Sequence, residues 1–126
     1  MLGMGMPTPS AYIMSAVLVG PVLIDMGIPA LNAHMFLLFF AALSAITPPV
    51  AVAAYAAASI AQANPIVIAG LAVRLAIAGF TLPFAFAVDP GLLAQGSLPD
   101  IIWAAATTLL GVVGLSIAAE GFLDRQ

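Results

Sequence analysis

Apolar residues fall in four long blocks along the chain, separated by short clusters of Pro, Gly, Asp and Asn, and no sustained period of two runs through them. A helix needs about 20 residues to span about 30 Å of hydrocarbon, so the length of each block and the residues that bound it carry the reading. The first block, Ser10 to Met26, opens after Thr8-Pro9 and closes at Gly27-Ile28-Pro29; at about 17 residues it is short for a crossing. The second, Leu31 to Ala63, is too long for one crossing. It is cut by Ile46-Thr47-Pro48-Pro49, where two prolines remove two backbone donors and push the residues before them out of helical geometry. Two half-helices joined by an unwound segment are the expectation. The third block, Ile66 to Val88, has the length of a normal crossing, with Arg74 in its first half and a kink expected at Pro83. The fourth, Ile101 to Ala119, is a plain apolar helix entered through Leu98-Pro99-Asp100, with Asp100 favouring its N-terminus. Asp89-Pro90-Gly91 to Ser97 reads as a polar, turn-rich loop. Inside the second block, Ala53, Ala57 and Ala61 recur every fourth residue and predict a close helix-packing face.

Composition decides what solvent these blocks meet. Of 126 residues, 64% are hydrophobic and only 6% charged, whereas a soluble globule carries roughly a quarter charged residues because its surface faces water. The solvent is therefore mostly lipid, and the expected class is an all-α membrane protein: a re-entrant half-helix, a Pro-broken discontinuous helix and two further transmembrane helices. Two basic residues leave no electrostatic footprint for nucleic acid, and the absence of Cys removes disulfides, thiolate nucleophiles and zinc clusters. The N-terminus, MLGMGMPTPS, has neither the basic segment nor the uninterrupted apolar run of a signal peptide. With Arg125 placed in the cytoplasm, Arg74 also falls near that face, and Asp25, Asp89 and Asp100 fall outside.

Candidate chemistry sits where the blocks break. Gly3 to Ser10 and Ser44 to Pro49 share one local grammar, a Thr followed by Pro with small residues before it. Each Thr is expected to be an N-cap and each following Pro the first helical residue, which places helix N-termini with free N–H groups at membrane depth, where they attract anions. The carbonyls left unpaired near Ala45, with the hydroxyls of Thr8, Ser10, Ser44 and Thr47, suit a hard cation such as Na⁺. Irregular backbone inside lipid survives only beside protein or a watery cavity, so two breaks imply a cavity. Broken helices of this kind are the signature of secondary transporters. Blander readings stand beside this one: a single Pro-kinked hinge at Thr47-Pro48-Pro49, Arg74 snorkelling to headgroups, and His34 as an interfacial or packing residue. Tyr12, Tyr55 and Trp103 read as belt or packing aromatics, and Met4, Met6 and Met14 as gap-fillers. An enzyme is not expected: no G-x-S-x-G elbow occurs, and Pro29-Ala30-Leu31, which matches a short motif of intramembrane aspartyl proteases, lacks the G-x-G-D aspartate. A small structural or assembly subunit of a membrane complex, and a channel-forming segment, are the rival readings.

The strings G-M-G-M-P-T-P-S and S-A-I-T-P-P-V-A, at this separation, resemble the C-terminal part of the large permease of TRAP transporters (DctM type), and more narrowly the fused permeases of the TAXI branch. On that resemblance, residues 1–93 are the C-terminal part of the transport domain, with a hairpin tip and returning arm at 3–26, a broken helix at 31–63 and a helix at 66–88. Residues 94–126 are an extra transmembrane helix and tail, similar to that branch from Ala118 to Leu123. The fold implied is part of the second repeat of an inverted-repeat, ion-transporter-like elevator protein, and the chain resembles a fragment that would not transport alone. The activity implied is Na⁺-coupled import of organic anions, usually carboxylates, delivered by a periplasmic TAXI-type substrate-binding protein to a multi-pass permease of the inner membrane. Na⁺ is then the coupling ion, no other cofactor is expected, and the rest of the permease and the bilayer are the remaining partners. By the same resemblance Gly5, Pro7, Thr8, Ser10, Ser44, Ile46, Thr47 and Pro48 surround one Na⁺ and one end of the substrate, with Thr8, Ser44, Thr47 and nearby carbonyls as Na⁺ ligands and no catalytic residue. Where many relatives carry Asn shortly before T-P-P and Gly after P-P-V, this chain has Ser44-Ala45 and Ala51, which leaves the Ser44 hydroxyl or main-chain carbonyls as ligands in place of an amide.

Overall fold

The computed structural model describes residues 5–121, all of it helix, turn or irregular backbone; the side chain of Glu120 is not described. Arg125, on which the orientation rests, and Gly3 and Met4 of the expected tip lie outside the described residues. The helices are α1 (Thr8–Leu18), α2 (Gly20–Asp25), α3 (Ala30–Leu43), α4 (Val52–Ala61), α5 (Pro65–Leu75), α6 (Ile77–Val88) and α7 (Leu98–Gly121), with a 3₁₀ turn at Pro90–Leu93.

Prolines place most of these boundaries, because each removes the donor that would have reached back four residues. The first block is two helices rather than one arm: Pro21 cannot bond the Val17 carbonyl, and α1 gives way to α2 at Val19. Gly27 then stops α2 in a left-handed conformation (φ 91°), its N–H on the Ile24 carbonyl and that of Ile28 on Leu23, the paired bonds of a Schellman stop. The second block divides into α3 and α4 around residues 44–51, as its two prolines require. In the third block the interruption lies at Ala76 (φ −88°, ψ 9°), not at Pro83, which is fully buried inside α6. Nothing in Leu75-Ala76-Ile77 demands a break there. Packing decides it, for α6 lies along α3 with Phe84 edge-on to Phe36 and Phe40 (ring centroids 5.4 and 5.8 Å) and Phe86 against Phe39 (5.1 Å). The fourth block starts earlier than its apolar run: Ser97 donates its hydroxyl to Asp100 Oδ2 at 2.5 Å and its carbonyl accepts from Ile101, so α7 begins at Leu98 with Asp100 in its first turn.

The core is built almost entirely of alanine. Among the described residues Leu37, Pro83 and Phe86 are the larger apolar members of a core that otherwise runs from Ala11 through Ala33, Ala41, Ala51, Ala54, Ala58, Ala69 and Ala78 to Ala104. Small residues let helices approach closely while Ile, Leu and Val point outward, the arrangement expected where lipid offers large side chains as good a home as a protein core does. The expected Ala53, Ala57, Ala61 face is exposed, and Ala51, Ala54 and Ala58 are buried in its place. Burial recurs at steps of three and four residues rather than every fourth, and in another phase, because a helix apolar all round has no polar stripe to fix its rotation. Ala51, Ala54 and Ala69 form one cluster that does fix it. Among the described residues α7 alone is long and apolar enough to cross a bilayer, while α4 and α5 reach that length only as a pair bent by 117°.

One buried amide ties α3 to α6. The Phe86 carbonyl has no helical donor because the residue four further on is Pro90, and Asn32 Nδ2 supplies one at 2.6 Å from a fully buried side chain. Asn32→Ala leaves that carbonyl unbonded in an apolar interior, so it is expected to destabilise the helical packing by about 1–3 kcal/mol. A lower unfolding midpoint on titration of micelles with a denaturing detergent would register it, and a midpoint equal to that of the native chain would refute it.

Candidate functional site

The prolines at 48 and 49 leave the carbonyls of Ser44 and Ala45 without helical donors, and the fold repairs both. Thr47 N–H reaches the Ser44 carbonyl at 3.3 Å, and Ala53 N–H, from the start of α4, returns to Ala45 at 3.0 Å. The two hydroxyls of the break point the same way: Ser44 Oγ donates to the Ala41 carbonyl and Thr47 Oγ1 to Leu43, each at 2.7 Å, satisfying the last turn of α3. Thr47 is therefore not an N-cap. The cap residue of α4 is Ala51, in a left-handed conformation (φ 35°, ψ 51°), and the helix begins at Val52, a turn beyond Pro48. The Pro48–Pro49 peptide bond is cis.

This pattern relocates the oxygen set. The carbonyls expected to be free at the end of α3 are occupied, whereas those of Ile46, Pro48, Pro49 and Val50 accept no hydrogen bond from any described residue. Because Ser44 and Thr47 give their protons backward to α3, their remaining lone pairs are available to a cation. The break thus offers neutral oxygens, the ligand type that a hard cation takes. No acidic side chain belongs to it, since the described acids apart from Glu120 are Asp25, Asp89 and Asp100, all at helix ends or in loops.

At the other end, Pro7 is the cap of α1, Thr8 its first residue and Pro9 its second, so Thr8 is not a side-chain cap either. The Pro7 carbonyl accepts from Ala11 at 3.0 Å, and prolines in the first turn cost nothing because those N–H groups have no helical acceptor. Gly5, with φ 85°, meets the break directly: a Cβ built on it would stand 3.1 Å from Val50 Cγ1. The tip and the break, separate in sequence, are neighbours in space.

α1 is held against α3 by its buried Ala11 and Ser15 and by Tyr12 Oη, which lies 2.8 Å from His34 Nδ1. Thr8, three residues before Ala11, shares that face. Ser10 does not; it is exposed and lines an open apolar groove of about 520 Å³ with Ile13, Met14, Val17 and Leu18. Of the expected site residues, then, Ser44, Ile46, Thr47 and Pro48 lie in one loop, Gly5 approaches it, Pro7 and Thr8 start the helix between Gly5 and the α3 contact, and Ser10 stands apart. Arg74 is half-buried on α5, off the Ala69 face that packs with α4. Val50 and Ala51 were not among the expected site residues; Ala51, which stands where the resemblance has Gly, carried a signal for its left-handed φ, while only the fold shows Val50 against Gly5 and Ala51 between α4 and α5.

A family model described as "Tripartite ATP-independent periplasmic transporter, DctM component" matches residues 1–101, ending within the first turn of α7. No curated protein and no solved structure matches the chain.

Proposed function

The chain belongs to the DctM component family of tripartite ATP-independent periplasmic transporters, and on that premise we propose that its tip and its broken helix form one half-site for Na⁺ and an organic anion. Membership makes it part of a membrane permease of a secondary transporter, which is a transport role and not an enzymatic one. The finer reading is ours. The coupling ion is Na⁺, the cargo is a carboxylate delivered by a periplasmic binding protein of the TAXI type, and the half-site works with the rest of the permease at the inner membrane in an elevator motion of an inverted-repeat fold.

The observation that carries this reading is the approach of Gly5 to Val50 across two separate irregular segments. The chemistry follows from charge. A Na⁺ held only by neutral oxygens, the hydroxyls of Thr8, Ser44 and Thr47 and free carbonyls of the break such as those of Ile46, Pro48 and Val50, keeps its full positive charge, and at low dielectric that charge attracts a carboxylate placed beside it. Anion and cation then raise one another's affinity by the same factor, which is the thermodynamic content of symport. A structural subunit in which residues 44–51 are only a packing hinge predicts no such ion dependence.

The test is uptake of labelled succinate and 2-oxoglutarate by vesicles containing the assembled transporter, in Na⁺ against choline, for the native protein, Thr8→Ala and Thr47→Ala. The expected result is Na⁺-dependent uptake that both variants reduce at unchanged insertion. Normal Na⁺-dependent uptake in both would return the break to the role of a hinge.

A further inference from the structure

Ala51 is the one residue of the unwound segment that is at once buried and backbone-strained. It is 1% exposed, and its φ of 35° lies in the left-handed region that an L-residue with a Cβ adopts at a cost. Three connections meet at it. Its N–H donates to the Thr47 carbonyl at 3.1 Å; its own carbonyl accepts from Ala54 and Tyr55 at 2.8 and 3.1 Å, starting α4; and its methyl group belongs to the buried cluster with Ala54 and Ala69, the latter on α5. The residue before it, Val50, is the one that meets Gly5.

A left-handed position buried in a helix junction would be filled without strain by glycine. An alanine there is tolerated because its methyl packs into the cluster that joins α4 to α5. We propose that Ala51 is a positioning residue: its buried methyl locks the unwound segment to the bent α4–α5 pair, and that lock holds Thr47 and Val50 in the arrangement that binds Na⁺. The inference rests on the half-site reading above. It adds that the ion site is set from behind, by a residue that touches neither ion nor substrate. Movement of α4 and α5 is thereby passed to the ligands through one peptide.

A purely structural role and a positioning role predict opposite things for Ala51→Gly. If the residue only fills space, glycine relieves the strained φ, and function is unchanged at equal or greater stability. If it positions the ligands, glycine frees the backbone beside Thr47 and removes the methyl contact, and the Na⁺ concentration for half-maximal uptake rises about tenfold with insertion and thermal stability preserved. The measurement is the Na⁺ dependence of succinate uptake by the assembled transporter. Ala69→Gly, which removes the facing methyl and leaves the break's own backbone untouched, is expected to shift it in the same direction by about threefold. An unshifted Na⁺ half-saturation in Ala51→Gly overturns the inference. Thr47→Ala in the same assay separates the two layers: if it too leaves the Na⁺ dependence unchanged, the half-site reading falls, whereas a Thr47 effect without an Ala51 effect removes only the positioning role.

Discussion

Thr47→Ala is expected to weaken the apparent affinity for Na⁺ by about 10- to 100-fold, the equivalent of about 1.5–3 kcal/mol for an oxygen that contacts a charge. The size follows from how the hydroxyl is held. Its proton is committed to the Leu43 carbonyl at 2.7 Å, so the oxygen is oriented before any ion arrives and no rotamer need be frozen on binding. The same carbonyl also accepts from Ile46 N–H at 3.2 Å, so deleting the hydroxyl does not leave it orphaned, and the fold survives the substitution. The effect should therefore appear in Na⁺ dependence and not in the amount of inserted protein. Thr47→Ser, which keeps the oxygen, is expected to recover most of the loss. A Ser variant as impaired as the Ala variant would show that the methyl group matters and the oxygen does not.

Gly5→Ala is the second large effect, and it acts on shape. At φ 85° a side chain is strained by about 1–2 kcal/mol, and the added Cβ would lie 3.1 Å from Val50 Cγ1, closer than nearly all such contacts. Val50 must then give by a few tenths of an ångström beside a strained backbone, and transport is expected to fall by about tenfold or more. Val50→Ala in the same chain restores the space but not the backbone freedom, so the double variant is expected to regain part of the loss, with a coupling between the two sites that neither single change shows. Additive effects, with no recovery, would mean that the contact between Gly5 and Val50 does not govern transport. Both experiments read uptake by the assembled transporter in Na⁺ against choline.

Among the elements, only some of those written by proline and glycine were legible in the chain: the split at Pro21 was not expected, and the third block breaks at Ala76 and not at Pro83. Pro48 and Pro49 announce the division of the second block, and Gly27 announces the end of the first, because loss of a donor or a demand for positive φ is a local fact that no packing can reverse. The candidate site was half legible for the same reason. A loop at Ser44 to Pro49 follows from the prolines, but the direction of its hydroxyls does not: capping α4 and closing α3 both satisfy Thr47, and only the placement of α4, a turn later than its prolines suggested, selects the second.

What the amino-acid sequence determined by itself was the solvent and the interruptions, since 6% charged residues cannot face water and prolines cannot complete a helix. The tertiary structure alone decided rotation and contact: which alanines of α4 are buried, that the third block breaks at Ala76 so that Phe84 and Phe86 reach α3, and that Gly5 lies against Val50. The physical reason is one and the same throughout. In a chain this uniformly apolar, nearly every helical face is equally content in lipid, so pattern carries no phase, and the phase comes from close packing of small residues and from buried polar bonds such as that of Asn32 Nδ2 to the Phe86 carbonyl.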